Sequence, residues 1–297
     1  MYAHSGILNG SSPVIDVDRT LVVDTHLHFW DLETYRAHSD WMKDTPAIFR
    51  SFLPEDVKLL FDACGVDRGV IIEAARTSHE LNLWWLELAE CYSYVGAVVV
   101  GCVLEQANLT GWFDEYSHSR YFVGIRAAPV GLPENWATNP ETERGLKELV
   151  RRDLSLDLLV THEDFEAVRI IAGKHPSLRI IVDHCGCPPL QDGQMEVWRR
   201  QFSSLAGQPN IHVKYSSLLY YAAPDTSIGR ILPVAEFLCE KFGPERLIWG
   251  SNWPVELLGG TYEESYLLTR KALAPLITAK ELDAVYGGNS MLFYRIL

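Results

Sequence analysis

The sequence predicts a single (β/α)₈ barrel, the TIM-barrel class. Three observations lead there. Eight short apolar, β-branched runs alternate with helical patterns, no Pro/Gly/Ser-rich linker divides the chain, and 297 residues suit one barrel domain. The barrel is expected over residues 21–297, with 1–20 as an N-terminal extension. No internal repeat or low-complexity segment is evident.

The predicted strands are Leu21–His28, Gly69–Ala74, Val95–Val103, Phe122–Ala128, Ser155–Val160, Leu178–His184, Asn210–Ser216 and Arg246–Ser251. Several are apolar at consecutive positions, as parallel strands are when a core lies on one side and helices cover the other. The first helix opens at Pro54-Glu55-Asp56, with proline and acids in the first turn. His79–Cys91 carries Leu81, Trp84, Trp85 and Leu88 at helical spacing. Further helices are expected over Leu109–Ser117, Pro140–Arg152, Asp164–Lys174, Met195–Ala206, Ser227–Phe242 and Tyr262–Leu273, with closing helices at Ala279–Tyr286 and Asn289–Ile296.

Composition narrows the function. A formal net charge of −13 disfavours nucleic acid and anionic lipid as partners. No apolar run reaches the roughly 20 residues that span a bilayer, and residues 1–20 lack the pattern of a signal peptide. The six cysteines include C-x-C at Cys185 and Cys187 but no C-x-x-C. Reduced thiols in a cytoplasmic protein are expected. Oligomeric state is open, a homodimer being the common arrangement of soluble enzymes.

Barrels of this class carry their chemistry at the C-terminal ends of the strands. His26 and His28 end the first strand; two residues apart, they share a face and can converge on one point. Neutral imidazoles bind divalent metals and also polarise carbonyls. His184 ends the sixth strand and should reach the same mouth, whereas Asp183, of opposite parity, should face the helices as a structural residue. Glu73, Arg126, Lys214 and His162 sit at or just past other strand ends, and Arg76 follows Glu73 closely. Cations here suit a carboxylate substrate, although an ion pair with a neighbouring acid is the structural alternative. Trp30 and Trp253 follow histidine and amide positions and could wall the pocket against a flat ring. Asn252 ends the eighth strand; an amide hydrogen-bonds but takes no proton from water.

DTHLHFWD (Asp24–Asp31), the DHCGCPP segment (Asp183–Pro189) and FGPERLIWGSNWPV (Phe242–Val255) together resemble the amidohydrolase-2 group. GIRAAP (Gly124–Pro129), VKYSSL (Val213–Leu218) and GGNSMLFY (Gly287–Tyr294) resemble its lactonase members, such as sugar-acid lactonases and 2-pyrone-4,6-dicarboxylate lactonase, with a decarboxylase branch more distant. The resemblance runs from Leu21 to Tyr294. It implies a (β/α)₈ barrel in which His26, His28 and His184 polarise an ester carbonyl, with or without a metal. It also implies an Asp where this chain has Asn252. Three readings of that departure stay open: an Asp→Asn change made to trap a substrate, a base supplied from elsewhere or by the substrate, or a protein that binds without turnover.

The resulting expectation is hydrolysis of a small anionic or sugar-like lactone. His26, His28 and His184 would hold the carbonyl directly or through one divalent ion, zinc or manganese. Asn252 would place the water, and Glu73, Arg76, Arg126, Lys214, Trp30, Trp253 and His162 would line the substrate. Glu73 and His162 are the candidate bases. A non-oxidative decarboxylase and an impaired ligand-binding protein are the alternatives.

Overall fold

The computed structural model describes residues 20–35, 40–74, 78–127, 133, 135–191 and 193–296. Apart from Thr20 the N-terminal extension lies outside them, as do Arg76 and Ala128. Eight strands form one parallel sheet in sequence order: β1 (Val23–Leu27), β2 (Arg68–Ile72), β3 (Val95–Cys102), β4 (Phe122–Ala127), β5 (Ser155–Leu158), β6 (Ile180–Val182), β7 (Ile211–Tyr215) and β8 (Leu247–Trp249). Beyond β8 the chain is stitched to β1. The His28 amide donates to the Trp253 carbonyl at 2.8 Å and the Asn252 amide to the His26 carbonyl at 2.9 Å. The sheet thereby closes into the predicted (β/α)₈ barrel.

Helices cover the outside, and their starts follow local chemistry. Ser78 accepts from the Leu81 amide to cap His79–Cys91, and Asn139 accepts from the Glu141 amide to cap Pro140–Arg152. Thr261 and Glu264 form a capping box at the head of Tyr262–Leu273. The outward strand residues, among them Leu27, Ile71, Val98, Ile125, Leu156, Val182, Val213 and Trp249, join the helices in one apolar layer. The predicted pair of closing helices is Ala279–Asp283 and Asn289–Tyr294, joined by a wide turn over Ala284–Gly288. Among the described residues no helix is long and apolar enough to cross a membrane.

The barrel interior is layered. Val23, Val70, Ile72, Ala97, Val99, Ile181 and Ile248 fill it, and Phe293, Tyr294 and Ile296 of the last segment pack against them. A Cβ on Gly96, near the start of β3, would meet Ile296 at 2.8 Å, so this segment plugs the N-terminal end and leaves the other end for chemistry. Above the apolar layer lies an ionic one. Lys214 Nζ, fully buried, donates to Asp157 Oδ2 at 2.6 Å and pairs with Asp183 Oδ1 at 2.9 Å, while the Tyr294 hydroxyl also donates to Asp157.

Candidate active site

His26 of β1 and His28 just beyond it face inward because the strand carries an extra residue. Asp24 pairs with Gly69 but Leu27 with Ile71, so three steps on β1 match two on β2. Such a bulge inverts the alternation of side chains. Val23 therefore points into the barrel, and so do His26 and His28, while Leu27 joins the outer layer. Asp24 holds the bulge from outside: it accepts from the amides of Ser251 at 2.8 Å and His26 at 3.1 Å, and from the Tyr262 hydroxyl at 3.0 Å.

At the end of β6 the structure corrects the expected parity. The strand stops at Val182; Ile181 and Asp183 point inward, and Asp183 does not face the helices. Its carboxylate reaches Lys214, lies 3.6 Å from His26 Nδ1, and lies 3.6 Å from Arg126. His184 reaches the mouth by a turn instead: its backbone is left-handed, with φ of 52°, as is that of Cys185 at 55°. The turn brings the His184 ring centroid to 4.4 Å from that of His26. Ser217 (φ 60°) and Asn252 (φ 70°) adopt the same conformation after β7 and β8. Non-glycine residues held this way are costly and gather at functional sites.

The partners fix the tautomers. His28 Nδ1–H donates to the Ile72 carbonyl at 2.9 Å, which leaves its Nε2 bare. His184 Nδ1 lies 2.8 Å from Ser216 Oγ, whose own proton goes to the Lys214 carbonyl, so this imidazole also donates from Nδ1. In His26, Arg126 donates to Nε2 at 3.4 Å and Asp183 faces Nδ1, which puts the proton on Nδ1. Burial keeps all three rings neutral. It carries His26 well below its ordinary value, with Lys214 adding to it, and takes His28 and His184 down to about 3, with Arg126 contributing.

Three electron-rich atoms consequently face one another. His28 Nε2 is 3.1 Å from His26 Nε2 and 3.1 Å from Asn252 Oδ1. Ligands about 2.0–2.1 Å from one ion stand about 3–3.4 Å apart. Three buried carboxylates (Glu73, Asp157, Asp183) against two cations (Arg126, Lys214) add a net negative surround. By donor type, and by the spacing of His26 and of Asn252 from His28, these side chains fit a divalent cation, with His184 alongside. Among the described residues no three His, Cys, Asp or Glu side chains group to hold an ion by themselves; the rings of His28 and His184 lie 4.8 and 4.4 Å from that of His26, and Asn252 Oδ1 lies beside His28.

The remaining predicted residues divide. Arg126 stands at the site, but Nε donates to Glu73 Oε1 at 2.7 Å, so the ion-pair alternative is realised. Lys214 lies below the histidines in the ionic layer and does not line the mouth. Burial pushes Asp183 up, but Lys214, His184 and Arg126 outweigh it and hold the carboxyl below its ordinary value. Burial raises Asp157 against the pull of Lys214. Trp30 is fully buried among Tyr35, Trp41 and Phe52, donating to the Arg50 carbonyl, and Trp253 packs on Phe29 and Phe52. Both support the wall from behind. His162 lies half-buried in the turn after β5. Asp157, Ser217 and Glu256 were not anticipated, although a lone acid in the apolar run SLDLL is a sequence signal of a buried charge.

Comparison with known proteins gives the same lineage. The chain is 33% identical to an L-fucono-1,5-lactonase of Burkholderia ambifaria over 282 residues, covering 93% of this chain and 96% of that one. Its fold matches a crystallised amidohydrolase of Burkholderia multivorans with bound HEPES, at a TM-score of 0.87 and 25% identity over 93% of this chain and all of that one. A zinc-bound crystal structure of a Burkholderia multivorans amidohydrolase superposes at a TM-score of 0.84 with 24% identity, over 93% and 100% of the two chains. The amidohydrolase family model matches residues 23–296. With a matching barrel, a matching model over nearly its whole length and a relative one-third identical throughout, the chain belongs to the amidohydrolase family of hydrolytic enzymes.

Proposed function

We propose that the protein hydrolyses a small lactone of a sugar acid at the mouth formed by His26, His28, His184 and Asn252. The observation that carries this reading is the chain-long similarity to an L-fucono-1,5-lactonase. The balance of charge favours a neutral, hydroxylated lactone over a dicarboxylate. Arg126 is bound to Glu73 and Lys214 to Asp157 and Asp183, so neither cation stands ready for an anionic substrate.

The imidazoles of His28 and His184 accept, through Nε2, whatever positive centre occupies the mouth, His26 Nε2 faces it beside the Arg126 guanidinium, and the barrel keeps all three rings neutral for it. Asn252 Oδ1 orients the attacking water and cannot deprotonate it. Glu73, engaged by Arg126, steadies that guanidinium beside His26. A divalent ion held by His26, His28 and Asn252, with His184 beside them, would supply a water of pKa near 7 and charge stabilisation at the carbonyl oxygen.

The test is metal analysis of the purified protein with turnover of L-fucono-1,5-lactone and of 2-pyrone-4,6-dicarboxylate, each with and without Zn²⁺ or Mn²⁺. Formation of the ring-opened sugar acid is expected. Carbon dioxide release from an aromatic acid in place of lactone opening would move the assignment to a decarboxylase. Lactone bound and recovered unchanged would make the protein a binder.

A further inference from the structure

Where β2 ends, a side chain takes over the edge of β3. β2 stops at Ile72, and the Glu73 amide donates to the Val99 carbonyl at 3.0 Å. Backbone groups repeat their direction every second residue along a strand, so Gly101 turns its own amide and carbonyl to the same edge as Val99. Asn82, fully buried on the helix His79–Cys91, meets both. Its Nδ2 donates to the Gly101 carbonyl at 2.8 Å, and its Oδ1 accepts from the Gly101 amide at 2.9 Å. A carboxamide offers the same donor and acceptor as a peptide group, so Asn82 stands in for the next residue of β2. The Tyr116 hydroxyl holds it in turn, accepting from Nδ2 at 3.0 Å.

Released from the strand, the Glu73 side chain turns inward. Ile72 points into the barrel, so continued alternation would send Glu73 out to the helices. Instead Glu73 lies over β3 at Gly101 and reaches β4. Gly101 is the register partner of Arg126, and Arg126 Nε donates to Glu73 Oε1 at 2.7 Å. A Cβ on Gly101 would stand 3.1 Å from Glu73 Cγ, 3.2 Å from Oε2 and 3.3 Å from Cβ. That is tighter than ordinary contact, and Glu73 is pinned at its far end by the guanidinium, so it has little room to give. Glycine inside a strand often marks such a close approach. The same guanidinium meets the site on its other side: Arg126 Nη1 is 3.4 Å from His26 Nε2 and 3.6 Å from Asp183 Oδ2.

We propose that Gly101 is a positioning residue: its bare α-carbon is the passage by which Glu73 crosses β3 to hold Arg126 against His26. Asn82 keeps that passage in place after β2 has ended. An ion pair between the ends of β2 and β4 has to cross β3, and a residue without a side chain leaves the inner face open for it. The inference rests on the geometry of the site; its link to turnover alone rests on the proposed lactone reaction.

The test is the ¹⁵N–¹H resonance of Arg126 Nε–H, assigned by its loss in Arg126→Lys and read beside kcat for L-fucono-1,5-lactone with Zn²⁺ supplied. Wild type, Gly101→Ala, Glu73→Ala and the double variant are compared, each checked by circular dichroism. An N–H bonded to a buried carboxylate is protected from exchange with water, so the wild type should show the resonance at neutral pH. Gly101→Ala is expected to shift or broaden it and to lower kcat by about 10–100-fold, the scale of a misplacement of up to about 1 Å. Glu73→Ala should lose the resonance, and adding Gly101→Ala to it should lower kcat no further, because the side chain that the methyl would crowd is gone. A merely structural glycine would instead cost the same factor in both backgrounds. Equal losses in both backgrounds, an unmoved resonance in Gly101→Ala, or no protected resonance in the wild type would overturn the inference. If Gly101→Ala fails to fold, Glu73→Asp decides: one methylene shorter, its carboxylate falls short of Arg126, and a resonance retained there would likewise overturn it. A wild type that shows the resonance contrast but opens no lactone would sink the proposed reaction and leave this inference standing.

Discussion

Replacing Lys214 with Met separates two roles for this residue. In the structure Nζ sits 2.6 Å from Asp157 and 2.9 Å from Asp183, and all three side chains are fully buried. Methionine keeps most of the volume and removes the charge, leaving two carboxylates without their shared cation. Breaking one partner out of a buried pair costs about 3–5 kcal/mol, because the stranded charge has no water to turn to. Urea denaturation followed by tryptophan fluorescence should then show a midpoint lowered by about 1–1.7 M, taking a slope of about 3 kcal/mol per M. Adding Asp157→Asn should recover part of the loss, since it removes one stranded charge. A substrate-binding lysine behaves differently: KM would rise while the midpoint barely moved. A loss below about 1 kcal/mol combined with such a KM effect would refute the ionic layer as drawn.

Other consequences are more quickly stated. His184→Ala should lower kcat for the lactone by at least about 100-fold with circular dichroism unchanged, since Ser216 holds its ring at the mouth 4.4 Å from that of His26; retained kcat would remove it from the site. Gly250→Ala would put a methyl 2.8 Å from His26 Cβ and 3.0 Å from its amide nitrogen, so activity should fall far more than stability, and an active variant would show that His26 tolerates displacement. Away from the site, burial and then Arg246 and Arg179 depress His212, which packs on Phe293, to about 4. The unfolded chain takes up this proton near pH 6.5 and the folded one does not. The contribution of His212 to stability should therefore be full above about 6.5 and fall by up to about 3 kcal/mol as pH drops towards 4, alongside the contributions of His26, His28 and His184. His212→Gln should flatten that limb in urea titrations across pH, and an unchanged slope would contradict the shift.

The alternation of strand and helix was legible because it is written in residue type: Val, Ile and Leu runs, Pro54 at a helix start, Thr261 three residues before Glu264. The residues at the mouth were legible as well, since strand ends are where a barrel can place them. What failed was direction. Alternation along a strand says which way a side chain points only while the strand stays regular. On β1 the bulge between Asp24 and Leu27 shifts the phase, and His26 and His28 still agree with each other because the shift precedes both. On β6 the strand ends one residue before Asp183, so parity sent Asp183 the wrong way, and His184 reaches the mouth through the left-handed turn and not by alternation. Lys214 looked like a mouth residue for a related reason. Nothing in VKYSSL reveals that Asp157 and Asp183, 57 and 31 positions earlier in the sequence, wait for it across the barrel.

Asn252 shows why a departure from a family pattern has to be read with its surroundings. By itself the amide looks like a lost base. In place it sits at φ 70°, a conformation that Asn and Asp adopt more readily than other side chains, and its backbone amide closes the barrel onto His26. Those two features would serve an aspartate equally. The third would not, because Asn252 Nδ2 donates to the buried Ser217 hydroxyl at 2.7 Å, and a carboxylate has no proton to give there. That hydrogen bond suits asparagine in this chain, and in the proposed reaction the chemistry a carboxylate would supply falls to the neutral imidazoles and whatever they hold.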